Sequence, residues 1–244
     1  MKKSLLVLFI IFISLFSCSK NIDKGESNYK NALEYEEKGD YENAIKYYKL
    51  AIEKDNSKKA VYNLAFLYKE QKRFADLIGY YKILVDGGNI DGAKILGIIY
   101  YEQGDYGEAE KYYKIAIDSG ETDSMCNLGL LYDEQKNDIV KAEKYYKMSV
   151  DKGNVECMSY LGYFYLKNKN FNEAEKYLKL AADKGNENSV ENLAILYFQI
   201  GNSKEAIKYY KIAAEKYNSI SAIESLGNFY YEEKNYKEAE KYYK

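Results

Sequence analysis

A phrase of the form Leu, small residue, two residues, Tyr returns along this chain at an almost fixed interval. It reads Leu64-Ala65 to Tyr68, Leu96-Gly97 to Tyr100, Leu128-Gly129 to Tyr132, Leu161-Gly162 to Tyr165, Leu193-Ala194 to Tyr197 and Leu226-Gly227 to Tyr230. The small residues step by 32, 32, 33, 32 and 33. Ala32 to Tyr35 begins the series, with Asn31 where Leu is expected. A second phrase built on Ala and Tyr follows each first one, as in Ala109, Tyr113 and Ala116, or Ala174, Leu178 and Ala181. In the second repeat Leu77 and Leu84 stand in place of the two alanines around Tyr81. A period in this range marks a stack of identical small units that cannot bury their apolar faces alone.

Each phrase has the period of a helix. Met158, Leu161, Gly162 and Tyr165 fall at i, i+3, i+4 and i+7, which is one helical face. Ala174, Leu178 and Ala181 form a second such face. Small residues at the contact let two helix axes approach, and a large Tyr or Leu fills the space beside them. The chain has no Pro, so Gly and Asn mark the turns. The polar links Glu102-Gln103-Gly104-Asp105 and Asp183-Lys184-Gly185-Asn186 are such turns, and Gly there suits the left-handed position after a helix.

The order small, Tyr, Ala, Tyr, Ala resembles the tetratricopeptide repeat, and the wording from Leu161 to Gly185 is similar to the Sel1-type repeat. The resemblance implies an all-α, right-handed superhelical solenoid of antiparallel hairpins over residues 27–244. Seven hairpins are expected, at 27–57, 58–90, 91–122, 123–155, 156–187, 188–220 and 221–244, the last incomplete. That incomplete end is the expectation for a fragment of a longer protein. The pattern departs from the family in lacking its terminal Pro.

The resemblance also implies that the first helices line a concave groove. Groove positions lie three before, one after and four after the small residue. Carried onto this chain, they make Tyr62, Phe66, Lys94, Ile98, Tyr101, Leu130, Asp133, Tyr163, Leu166, Glu191, Ile195, Phe198 and Tyr231 candidate partner-groove residues. Tyr29, Leu33, Glu36, Lys69, Cys126, Ser159, Glu224 and Asn228 complete the positions. Aromatic and aliphatic anchors with an acidic rim suit a helical or extended peptide. Only Lys94 and Asn228 resemble the set that clamps a C-terminal carboxylate in relatives.

The first residues read as an address. Lys2 and Lys3 precede an apolar run from Leu5 to Phe16, 12 residues long and too short to span a hydrocarbon core of roughly 30 Å. Leu15-Phe16-Ser17-Cys18 resembles a bacterial lipobox. The resemblance implies a signal peptide over 1–17, a lipidated tether over 18–26, and acylation of Cys18. The alternative is a non-lipidated signal peptide in which Cys18 is incidental. The expected location is the cell envelope, on the outer membrane if the cell has two membranes.

Composition narrows the chemistry. His is absent, so the commonest general base and metal ligand is missing. Glu173, Glu205 and Glu238 recur at one phase near a helix start, where they favour the dipole, whereas catalytic acids stand at unique positions. No catalytic, metal or cofactor-binding residue is expected, and the chain is read as a binding protein rather than an enzyme. A net charge of −2, falling to −4 once Lys2 and Lys3 are removed, argues against nucleic acid as a partner. Lys and Glu read as interspersed along the helices. Cys126 and Cys157 read as two buried apolar cysteines rather than a disulfide, because the two-per-repeat cysteine pattern of stapled Sel1-type proteins is absent. The 30 tyrosines include the pairs Tyr47-Tyr48, Tyr80-Tyr81, Tyr112-Tyr113, Tyr145-Tyr146, Tyr209-Tyr210 and Tyr242-Tyr243. The second of each pair is expected in the core and the first on the flank, with its hydroxyl in water. The competing reading is a tyrosine ladder for glycan or peptidoglycan.

Overall fold

A computed structural model of the chain describes residues 27–244. The expected signal peptide over 1–17 and the expected lipidated tether from Cys18 to 26 lie outside the described residues. Within them the fold is an all-α solenoid of fourteen tandem helices, with no strand. The helices divide into two units, and the chain passes from the first to the second between Ile83 and Leu84.

The first unit holds α1 (Ser27–Glu37), α2 (Tyr41–Asp55), α3 (Lys58–Glu70) and most of α4 (Phe74–Asp86). The second holds α5 (Ile90–Gln103), α6 (Tyr106–Asp118), α7 (Asp123–Leu130), α8 (Ile139–Asp151), α9 (Val155–Lys167), α10 (Phe171–Asp183), α11 (Glu187–Gln199), α12 (Ser203–Tyr217), α13 (Ile220–Glu232) and α14 (Tyr236–Tyr243). A π-helical turn, Leu131–Gln135, continues α7. Odd-numbered helices carry the Leu-small-Tyr phrase, with Asn31 for Leu in α1, and even-numbered helices the Ala-Tyr-Ala phrase or a variant of it, such as Leu77, Tyr81 and Leu84 in α4.

The turns repeat one design. Within a hairpin, the backbone carbonyl of the phrase Tyr accepts from the residue that starts the next helix. Asp105 N donates to Tyr100 O at 2.9 Å, Asn170 N to Tyr165 O at 2.9 Å and Asn235 N to Tyr230 O at 2.8 Å. That residue then caps the next helix with its side chain, as Asp105 does for Glu108 N at 3.1 Å. Arg73 holds the same place in the second hairpin and instead makes ion pairs to Asp76 at 2.7 Å and Glu42 at 2.6 Å. The residue before the cap is left-handed throughout, and is Gly at 39, 104 and 201, Lys at 72, 169 and 234, and Asn at 137.

Small residues work at the contact as the spacing predicts. A Cβ added at Gly129 would sit 2.6 Å from Tyr146 Cδ1, and one at Gly162 would sit 2.6 Å from Leu178 Cγ and 3.1 Å from its backbone nitrogen. Ala32, Ala65 and Ala194 fill the same position, each nearly or fully buried.

The fourth hairpin is longer by one residue. Tyr132 lies 13 residues before Tyr145, whereas the matching pairs elsewhere are 12 apart. The π turn takes up the extra residue: Lys136 N reaches back to Leu131 O at 3.1 Å and Asp138 N to Tyr132 O at 2.8 Å. The hairpin closes on the usual Asp cap despite the insertion.

The cysteine expectation is corrected here. Cys126 on α7 and Cys157 on α9 are both buried, and they form a disulfide with Cα atoms 5.7 Å apart. Consecutive first helices lie side by side, so positions about one repeat apart in sequence face each other. That puts the pair inside the 4.4–6.8 Å span a disulfide requires.

Candidate functional site

The tyrosines come first, because they decide which surface remains for a partner. In six hairpins the Tyr of the first phrase stacks flat on the leading aromatic residue of the second phrase. The pairs are Tyr35–Tyr47, Tyr100–Tyr112, Tyr132–Tyr145, Tyr165–Tyr177, Tyr197–Tyr209 and Tyr230–Tyr242, with centroids 5.3–5.7 Å apart and planes within 8–16°. Offset stacking of this kind adds to burial in holding the two helices together. Lysines lie over several of these rings, as Lys111 does over Tyr112 at 5.1 Å and Lys176 over Tyr177 at 4.8 Å. The second Tyr of the pair is buried at 48, 81, 113 and 146, as expected. Tyr210 is half-buried, and Tyr243 is exposed.

Three of the phrase tyrosines also tie one hairpin to the one before. The hydroxyls of Tyr132, Tyr165 and Tyr197 donate to Glu110, Glu143 and Glu175 at 2.6, 2.6 and 2.7 Å. Each carboxylate also takes a lysine one turn on, Lys114, Lys147 or Lys179, at 2.5–2.7 Å. Burial pushes the Glu110 carboxyl up, but hydrogen bonds from Lys114, Lys136 and Tyr132 outweigh it and bring it to about 2. Hydrogen bonds from Lys147 and Tyr165 lower Glu143, and those from Lys179 and Tyr197 lower Glu175. Burial, with the Glu143 contact second, pushes the Tyr165 hydroxyl up to about 12. Tyr132, Tyr165 and Tyr197 are therefore structural in both ring and hydroxyl, and in all six pairs the stacked face is spent on another tyrosine.

The candidate groove residues separate by helix. On α5 and on α7 with its π turn, Lys94, Ile98, Tyr101, Leu130 and Asp133 are buried. The Lys94 ammonium is 2.7 Å from Asp123 and 3.3 Å from Glu121. The Tyr101 hydroxyl donates to Glu134 at 3.1 Å and accepts from Gln135 at 3.3 Å. Asp133 is held by Lys167 at 2.6 Å. Leu166 on α9 is buried as well, as are Cys126 in the disulfide and Ser159. Lys94 is thus committed to two carboxylates of its own chain.

From α9 onward each first helix opens one aromatic at these positions. Tyr163 on α9, Phe198 on α11 and Tyr231 on α13 are 49%, 55% and 58% exposed. Ile195 and Glu191 are half-buried between them, and Glu224 and Asn228 are exposed. Glu191 accepts from Ser219 at 2.9 Å and from Ser221. Asn228 accepts from Tyr243 at 2.7 Å. In the first unit Tyr62 and Phe66 are half-buried, and Glu36 accepts from Tyr48.

Charge is distributed in a way the sequence reading missed. In the second unit, α5, α7 with its π turn, α9, α11 and α13 carry two lysines against ten carboxylates, a formal −8. The partner helices α6, α8, α10, α12 and α14 carry thirteen lysines against twelve carboxylates, a formal +1. Within the second unit, Lys and Glu are interspersed along the even helices only. The odd helices of the first unit, α1 and α3, balance at four lysines and four carboxylates. Counting charge on alternate helices would have found this in the sequence; counting along the chain averages it away. Among the described residues, no group of three or more carboxylate or thiol ligands is placed to hold a metal ion.

Comparison with known proteins agrees with the fold. Tetratricopeptide repeat models match residues 25–57, 95–156 and 191–244, and the Sel1 repeat model matches 155–186. The chain belongs to the tetratricopeptide and Sel1-like repeat proteins. No curated protein sequence matches it. Among solved structures it is similar to c5321, a protective antigen of uropathogenic Escherichia coli strains displaying an SLR fold. That likeness has a TM-score of 0.63 and 23% identity over 82% of this chain and 48% of that one. The chain thus spans about half the length of c5321. A tetratricopeptide repeat protein from Parabacteroides merdae gives a TM-score of 0.59 and 19% identity over 88% of each chain. Pseudomonas aeruginosa pilF gives 0.59 and 22% identity over 79% of this chain and 91% of that one. At these identities the likeness is one of fold.

Proposed function

We propose that this chain is a protein-binding scaffold or adaptor of the cell envelope that seats a segment of a partner protein on the first-helix face of α9, α11 and α13. The observation that carries the reading is the exposure of Tyr163, Phe198 and Tyr231 on three consecutive first helices. Of the other large apolar residues at groove positions of the second unit, Ile98, Tyr101, Leu130 and Leu166 are buried and Ile195 is half-buried. Exposed aromatics at the middle of a patch are the usual carriers of binding energy. Repeat stacks present such faces as extended binding surfaces.

Export and lipid anchoring belong to the same proposal. The Cys126–Cys157 disulfide supports it, because such bonds persist in oxidising compartments outside the cytosol. Acylation at Cys18 holds the array at the membrane, and two or three acyl chains anchor stably where one does not.

A photo-reactive phenylalanine analogue at position 198 is expected to cross-link a discrete protein in the intact envelope. The same analogue at the exposed Leu180 of α10 is the control. Equal labelling from both positions, or none from 198, ends the binding-face reading. Radiolabelled palmitate that persists in Cys18→Ala ends the anchor.

A further inference from the structure

We propose that the segment bound on this face is cationic, a stretch of protein carrying Lys or Arg between its apolar anchors. The inference rests on the binding-face reading above and adds the chemistry of the partner. Its ground is the −8 carried by the first helices of the second unit beside the +1 of their partners.

Neither lysine of that row offsets the charge toward a partner. Lys94 is buried against Glu121 and Asp123, and Lys167 pairs with Asp133. The three helices that expose aromatics, α9, α11 and α13, carry Glu156, Glu187, Glu191, Glu224 and Glu232, and Lys167 is their one basic residue. Glu187, Glu224 and Glu232 are exposed. Burial, with Asp123 second, raises the Glu156 carboxyl, while Lys94 opposes both. Like charges gathered on one row of helices leave an unfavourable field that a cationic partner relieves. They repel phosphate polymers and acidic peptides. The aromatics supply apolar contact, and a lysine or arginine beside an apolar anchor can lie over Tyr163 or Tyr231 as well as meet a carboxylate.

The test is fluorescence anisotropy with the full-length protein in non-ionic detergent. The probe is a labelled amphipathic peptide of about 18 leucines and lysines, and its match has glutamate at every lysine. The lysine peptide is expected to bind at least about tenfold tighter than the glutamate peptide. Raising salt from about 50 to about 300 mM weakens it severalfold. Glu187→Lys with Glu224→Lys weakens the lysine peptide about tenfold, while Glu205→Lys with Glu238→Lys on α12 and α14 changes it less than about twofold.

Equal or tighter binding of the glutamate peptide overturns the cationic partner. So does insensitivity to the Glu187 and Glu224 changes. In either case the binding face itself stands if Phe198→Ala with Tyr231→Ala still removes binding. Failure of both peptides overturns the cationic inference alone, since cross-linking at position 198 judges the face independently.

Discussion

In the second unit two rows of helices alternate along the same stack, and they differ in what they repeat. The even row, α6 to α14, repeats its surface as faithfully as its core. Glu-Lys-Tyr-Tyr-Lys stands at 110–114, 143–147 and 240–244, with close variants at 175–179 and 207–211. The odd row, α5 to α13, repeats only the Leu-small-Tyr face. Its other faces hold a buried lysine, a disulfide, a π turn, unbalanced carboxylates and three exposed aromatics. A position copied in every unit serves what every unit needs, which is packing against its neighbours. A position that varies while the fold persists is free to serve a partner.

The two rows are also joined differently. Among the even helices, Glu110, Glu143 and Glu175 each reach the next hairpin through a tyrosine hydroxyl. In the odd row one pair, α7 and α9, is joined covalently. Breaking that bond is expected to have the largest effect on stability. Cys126→Ala with Cys157→Ala is expected to lower it by about 3 kcal/mol, read from urea unfolding, because the bond closes a loop of some 31 residues. Amide exchange should rise in α7 and α9 more than in α8. A uniform rise would mean that the rows do not respond separately.

The contact between the rows comes next. Gly162→Val puts side-chain atoms into Leu178 and its backbone, which cannot swing aside. A loss of about 2 kcal/mol is expected. The same change at Ala194 should be milder, since that site already admits a Cβ.

A smaller effect follows from the hydroxyl links. Glu110, Glu143 and Glu175 all have folded pKa values below their unfolded value of about 4.3. Their stabilisation is therefore complete above the unfolded value and is lost as pH falls through the folded values, with Glu110 still titrating near about 2. Replacing the three with Gln should cost on the order of 1 kcal/mol at neutral pH. It should also flatten the fall in stability between about pH 4.5 and 2. An unchanged acid profile would show the links to be energetically idle.

The smallest effect runs the other way. Ser149 occupies a repeat-alanine position, is buried, and its hydroxyl has no hydrogen-bond partner among the described residues. Ser149→Ala should stabilise by about 0.5 kcal/mol in thermal unfolding, since alanine restores the copied residue and leaves no orphan donor.

The two rows were not equally legible in the sequence. The hairpin pattern was, because Gly129, Gly162, Tyr132 and Tyr165 recur at helical spacing and their packing follows from size alone. The roles of the tyrosines were half legible. Core positions such as Tyr113 and Tyr146 could be assigned from phase. The flat stack of Tyr165 on Tyr177 could not, because it depends on the angle between two helices. Cys126 and Cys157 face each other only once α7 and α9 are set side by side, and a two-per-repeat pattern was the wrong signal to seek. The extra residue of the fourth hairpin was visible as a step of 33 from Gly129 to Gly162. Its placement in a π turn was not, since a longer loop would satisfy the same count. At the groove positions, spacing places Lys94 and Phe198 on equivalent faces. One is buried against two acids and the other is 55% exposed, a difference set by neighbours that spacing does not name.

The reach of the hydroxyl links has a further consequence. Each spans 22 residues, from Glu110 to Tyr132, Glu143 to Tyr165 and Glu175 to Tyr197. None depends on how many hairpins lie on either side. A gene that gains or loses one whole unit within this stretch would re-form the same links at the junction. The array can therefore lengthen or shorten by duplication without redesign. The pair at Cys126 and Cys157 is the exception, since a copy of any hairpin without a cysteine, inserted between them, would leave each sulfur facing a residue that cannot answer it.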